Sequence, residues 1–186
     1  MDKVAIFIDA ANLSYASKLL NTTINFNLLL PHMMERFKWN VINAFYYTAL
    51  INHDSGFIER QNQMDWLRTH GFTVKTKPAK QFRRDDGTVR TKGNMDIEMA
   101  VGMVRASESG RLDRLVMMSG DGDFTALVEY IQETKGVPVT VVSPEAMTAR
   151  ELRSMCNQYI DLKELVSFIE VKRNVEVSIV KRLRRA

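Results

Sequence analysis

The chain has 186 residues, 45% of them hydrophobic and 26% charged, which suits one domain with a full core and leaves too little for two. Its formal charge is only +4, but Lys75, Lys77, Lys80, Arg83, Arg84, Arg90 and Lys92 crowd one segment, a pattern suited to polyanions. Cys156 is the single cysteine, which excludes an intrachain disulfide, and no apolar run reaches the roughly 20 residues that span a bilayer.

Met1-Asp2-Lys3 leads straight into an apolar run without a secretory pattern, so a soluble, cytoplasmic protein is expected. Residues 4–8 have the character of a strand buried on both faces, and 13–20 carry helical spacing. A second helix is predicted over 27–37, where Pro31 is tolerable only near the first turn. Residues 41–50, rich in β-branched and aromatic side chains, predict a strand. A helix over 55–70 follows, stopped by Gly71, and 72–77 is the next strand.

Asp86-Gly87 is a hairpin-turn signal inside 81–91, which marks an exposed basic excursion. Asn94 is placed to cap a helix over 95–107, and 115–118 is an apolar strand. Then come a helix over 124–134 ended by Gly136, a buried strand over 137–142, a helix over 146–155, a short strand near 159–160 and a last segment over 162–170. Val175, Val177 and Ile179 alternate like a strand, within a stretch that equally extends a helix. The alternation implies a three-layer α/β/α sandwich, with a mostly parallel sheet and a basic β-hairpin insertion. The domain is expected to occupy 1–170, with 171–186 as a basic extension.

Carboxylates recur where these strands end. Asp9 closes the first, Asp121 and Asp123 stand in the loop Ser119-Gly120-Asp121-Gly122-Asp123-Phe124 after a later one, and Asp96 falls in the first turn of the helix behind the hairpin. Open α/β sheets keep their chemistry at this edge. Carboxylates packed together raise one another's pKa unless a counterion neutralises them, and a hard cation such as Mg²⁺ or Mn²⁺ suits oxygen donors. Such a centre serves metal-assisted hydrolysis of phosphate esters. Asn12 is placed to orient Asp9 or to bind substrate through its amide. Glu98, two residues from Asp96, projects from a different helix face.

Three ordered motifs, Phe7-Ile8-Asp9-Ala10-Ala11-Asn12, Lys92-Gly93-Asn94-Met95-Asp96 and Ser119 to Phe124, resemble those of the NYN domain family, in particular its LabA-like branch within the PIN-like nuclease group. The resemblance runs from Lys3 to about Leu165. It implies a PIN-like (Rossmannoid) fold and a Mg²⁺-dependent ribonuclease site, with Asp9, Asn12, Asp96, Asp121 and Asp123 at the matching positions and Ser119 beside them on the substrate side. Many LabA-like members carry a further acid six residues after the helical aspartate, where this chain has Gly102. Three outcomes stay open: Asp121 and Asp123 suffice for one cation, Glu98 compensates, or activity has weakened and the domain chiefly binds nucleic acid.

The implied partner is RNA, in single-stranded form, with Arg83, Arg84, Arg90 and Lys92 on its phosphates and Phe82 available to stack on a base. A homodimer through a sheet edge or helix face is compatible with the apolar helices. Competing chemistries fit less well. A haloacid-dehalogenase-like phosphatase needs an acid two residues after its nucleophile, where Ala11 stands. No glycine-rich turn follows the first strand, which removes a dinucleotide site, and His32, His53 and His70 lack zinc-ligand spacing.

Overall fold

The structure, a computed structural model, describes residues 1–50, 56–83, 87 and 89–170, with backbone alone at 80, 81, 83 and 89–92. The expected extension over 171–186 and its ambiguous strand lie outside the described residues, as does Arg84.

Six strands make one parallel sheet: β1 (Asp2–Asp9), β2 (Trp39–Leu50), β3 (Phe72–Pro78), β6 (Arg114–Met118), β7 (Val139–Ser143) and β8 (Gln158–Asp161). Their order is β3-β2-β1-β6-β7-β8. The hairpin is a separate antiparallel pair, β4 (Lys80–Arg83) and β5 (Val89–Lys92), with Phe82 opposite Arg90 and Gly87 at a positive φ of 80° in its turn. The sandwich and its basic hairpin are therefore present as expected.

Both faces of the sheet are covered, which explains the continuous apolar run in β1. Val4, Ile6 and Ile8 point to one side, into a core with Leu13 of α1 (Ala10–Leu19), Leu29 and Met33 of α2 (Phe26–Phe37), Met64 and Leu67 of α3 (Phe57–Thr69), and Leu165 of α7 (Lys163–Ile169). Ala5 and Phe7 point to the other, toward Met99 and Met103 of α4 (Asp96–Ser107), Val128 and Ile131 of α5 (Thr125–Lys135), and Leu152 of α6 (Arg150–Met155). Each such fully buried side chain contributes about 1.5–3 kcal/mol of transfer free energy. No helix among the described residues is long and apolar enough to cross a membrane.

Several boundaries differ from expectation, each for a local reason. α1 begins at Ala10, ahead of the predicted 13, because the Asp9 carboxylate caps it directly from the strand tip. α2 runs through Pro31 well past its first turn; burial of Leu29 and Met33 on either side outweighs the lost backbone bond. Asn94 does not cap α4. Met95 holds that position without a side-chain bond, and Asn94 instead donates to Asp96 Oδ2 at 2.5 Å. The single helix predicted over 146–155 is a 3-10 turn at Glu145–Met147, an extended Thr148, and then α6. The break frees the Ala149 amide to donate to the Gly120 carbonyl at 2.9 Å.

Candidate metal and nucleic-acid site

β1 and β6 are neighbours, yet the chain leaves them in opposite directions, outward through β2 and β3 after the first and through β7 and β8 after the second. The loops at their C-terminal ends part, and the gap is a topological switch point, where parallel sheets bind ligands. Ile8 pairs with Met118 in the last rung, so Asp9 and Ser119 leave the sheet side by side.

The first layer of contacts is rigid. Asp9 Oδ1 accepts the amides of Ala11 and Asn12 at 3.0 and 3.1 Å, while its Oδ2 accepts the Ser119 hydroxyl at 3.2 Å. The Asp121 amide donates to Ser119 Oγ at 3.3 Å, and the Asp123 amide to Asp121 Oδ1 at 3.0 Å. Asn12 Oδ1 accepts the Gly120 amide at 3.2 Å, tying α1 to the β6 loop. Asn12 thus orients the loop through its carbonyl. Ser119 is fully buried, which corrects its expected substrate contact: its hydroxyl positions Asp9 and Asp121.

Gly120 lies against the β7–α6 connection so closely that an added Cβ would stand 2.4 Å from the Met147 carbonyl oxygen and 2.6 Å from Ser143 Oγ. Any side chain there would force one of these segments to shift. At Gly122 the nearest neighbour of such a Cβ would be Ala149 Cβ, at 3.0 Å. Asp121 caps the short 3-10 turn Gly122–Phe124, and Asp123 projects from that turn as an exposed residue.

The four aspartates share one electrostatic field. Burial pushes the Asp9 carboxyl above its ordinary value, opposed by its three hydrogen bonds and reinforced by the charge of Asp121. Burial also raises Asp96, and the charges of Asp9, Asp121 and Asp123 add to it, while the Asn94 hydrogen bond opposes them. None of the four is ion-paired among the described residues. As placed, no three His, Cys, Asp or Glu side chains among the described residues close around a common point. An all-carboxylate donor set with uncompensated charge fits a hard divalent cation.

Two neighbours refine the set. Glu98 is held by Lys77, whose Nζ lies 2.8 Å from both carboxylate oxygens, so its charge is engaged in an ion pair. Tyr46 had no expected role. It pairs with Ile8 across the β1–β2 ladder, and burial together with the charge of Asp9 pushes its phenol to about 12. An aromatic within a strand pattern carries no sign of that neighbour. In the hairpin, Arg83, Arg90 and Lys92 lie on β4 and β5, and Phe82 is 49% exposed beside them.

A raised folded-state pKa means that the native state binds protons more tightly than the unfolded chain. Metal-free stability therefore rises as pH falls from neutrality through the elevated pKa values of Asp9 and Asp96 toward 3.8. Asp96→Asn is expected to melt about 2–4 °C above wild type in chelator at pH 7. That gap should close as the wild-type carboxyl protonates, and Mn²⁺ should raise the Tm of wild type more than that of the variant. Calorimetry across pH checks all three; a variant less stable than wild type at pH 7 would contradict them.

A six-stranded α/β/α sandwich with four aspartates about its switch point has the architecture of a PIN-like, nuclease-type domain. The model of the NYN domain matches residues 3–167, and the chain belongs to this family. It is 35% identical over 170 residues to the low amplitude and bright protein LabA of Synechococcus elongatus, covering 90% of this chain and 88% of that protein. A crystal structure of a protein of unknown function from Vibrio parahaemolyticus superposes with a TM-score of 0.70 at 26% identity, covering 87% of this chain and 93% of the other. NYN domains are nuclease-like and RNA-related, and PIN-like nucleases generally use divalent metals.

Proposed function

We propose that this protein is a divalent-metal-dependent ribonuclease acting on single-stranded RNA. The observation that carries the reading is the shared field of Asp9, Asp96, Asp121 and Asp123 at the switch point, with no cationic side chain among the described residues to neutralise it. Asp9 and Asp121, fixed by hydrogen bonds, would hold Mg²⁺ or Mn²⁺, with Asp96 and Asp123 completing its surroundings. When bound, such a cation supplies Lewis-acid polarisation of the phosphate and neutralises charge developing on its oxygens. Asn12 and Ser119 keep the two loops in register, and Gly120 and Gly122 let the backbone turn closely. Arg83, Arg84, Arg90 and Lys92 would grip phosphates flanking the cut, and Phe82 would stack on a base.

Purified protein incubated with a single-stranded RNA is expected to cleave it in Mn²⁺ and to leave it intact in chelator. Cleavage that persists in chelator would sink the metal-dependent reading. A second reading, an RNA-binding module that does not cut, is favoured by Gly102, where many LabA-like relatives carry an acid. Binding without cleavage at any Mn²⁺ concentration would select it. Arg83→Ala with Arg84→Ala should weaken RNA binding and lower the salt slope by about 1.4. An unchanged slope removes the hairpin from the interface.

A further inference from the structure

Helices α4, α5 and α6 do not cover their face of the sheet to its edge. They pack on β1, β6 and β7, while β2 and β3 turn Phe45, Tyr47 and Lys75 into a trough beside α4. Two cavities of about 320 and 350 Å³ make up this trough, and Tyr47, Lys75, Gly102 and Arg105 are walls of both. One end reaches Met95 and Ile97, the chain neighbours of Asp96; the other reaches Arg111, past the C-terminus of α4. The twelve residues of α4 make the trough about 18 Å long.

Gly102 makes room for Tyr47 in its wall. An added Cβ would stand 2.1 Å from Tyr47 Oη, so any side chain here would require Tyr47 to move. The Tyr47 hydroxyl makes no hydrogen bond among the described residues, and burial pushes its pKa to about 12, which keeps it a donor at neutral pH. Phe45 and Tyr47 are braced from behind by Phe7, with centroids at 4.8 and 6.2 Å.

The charge of the walls identifies the occupant. Lys75, Arg105 and Arg111 are exposed, and their side chains make no ion pair or hydrogen bond among the described residues. Glu98 is the acid among the lining residues, and Lys77 already neutralises it. Three free cations over an aromatic floor match an alternation of phosphates and bases. A trough that starts at the N-terminus of α4, beside the acid cluster, is where a strand held at that cluster continues.

We propose that this trough carries the flank of a single-stranded RNA away from the aspartates, with Lys75, Arg105 and Arg111 on its phosphates and the half-buried Phe45 against a base, while the buried Tyr47 ring backs the wall. The assignment rests on the RNA-directed reading above, and the test separates the two. A fluorescein-labelled oligouridine 12-mer is titrated in EDTA, where metal-dependent cutting is excluded, against wild type and the double variant Lys75→Glu/Arg105→Glu over a salt series. The double variant should raise Kd at least about tenfold and lower the salt slope by about 1.4. Both positions are exposed and unpaired, so the melting temperature should be unchanged, and 4-thiouridine in the same oligomer should crosslink to the Phe45–Tyr47 peptide in wild type.

Unchanged affinity and slope would overturn the trough, whatever the wild type does in Mn²⁺. A wild type that binds the 12-mer and never cleaves it overturns the ribonuclease reading alone, while the slope change still supports the trough. If sedimentation shows a wild-type dimer that the double variant separates while RNA affinity holds, the trough is an interface with a second copy and the RNA assignment falls.

Discussion

Asp121→Asn is expected to reduce Mn²⁺-dependent RNA cleavage by about 10²–10³-fold while leaving the fold intact. The amide oxygen can still accept the Asp123 amide as Oδ1 now does at 3.0 Å, and the Asp121 backbone amide keeps its bond to Ser119, so loop geometry survives. What disappears is one negative charge of the four that make the switch point attractive to a cation. Asp123→Asn should cost less, because its exposed carboxylate accepts none of the hydrogen bonds found in the loop. Single-turnover cleavage with both variants, alongside circular dichroism, makes the comparison. Full activity in Asp121→Asn would show that the cation, if one is used, is held elsewhere.

Gly120→Ala should be the most damaging single methyl in the loop. Its Cβ meets a backbone carbonyl at 2.4 Å, and the segment cannot retreat, because the Gly120 amide is bound to Asn12 and its carbonyl to the Ala149 amide. Overpacking of this kind costs about 1–3 kcal/mol, a fall of about 2–12 °C in Tm for a domain of this size. Whatever shift relieves the clash also moves Asp121, so the stabilisation by Mn²⁺ should shrink with it. Gly122→Ala, at 3.0 Å from another Cβ, is the milder control. Equal melting temperatures for the two variants would contradict the argument.

Much of the fold was legible because its signals are local. β1 reads as buried on both faces from five consecutive apolar residues, and α5 ends where expected because Gly136 takes the left-handed φ of 64°. The hairpin followed from Asp86-Gly87. Local reasoning failed where a long-range bond decided the conformation. α1 starts early because a strand-end carboxylate caps it. The helix over 146–155 is interrupted because Ala149 is drawn to Gly120. Asn94 turns from the backbone to Asp96, a neighbour whose pKa is raised by burial and by the charges of Asp9, Asp121 and Asp123.

The site divides in the same way. Periodicity and spacing were enough to set four aspartates at strand and helix ends on one edge, since an acid closing a buried strand needs a partner. They could not give the neighbours of those ends. That β1 lies against β6, 105 residues onward at the Asp9 to Arg114 step, is a property of the sheet order, and it alone brings Asp9 within 3.2 Å of Ser119. Only the packed structure turned Ser119 from a substrate contact into a buried brace and engaged Glu98 with Lys77. It also set Gly102 against Tyr47, because contacts between distant segments depend on which strands pair and which faces meet, and no local pattern encodes either.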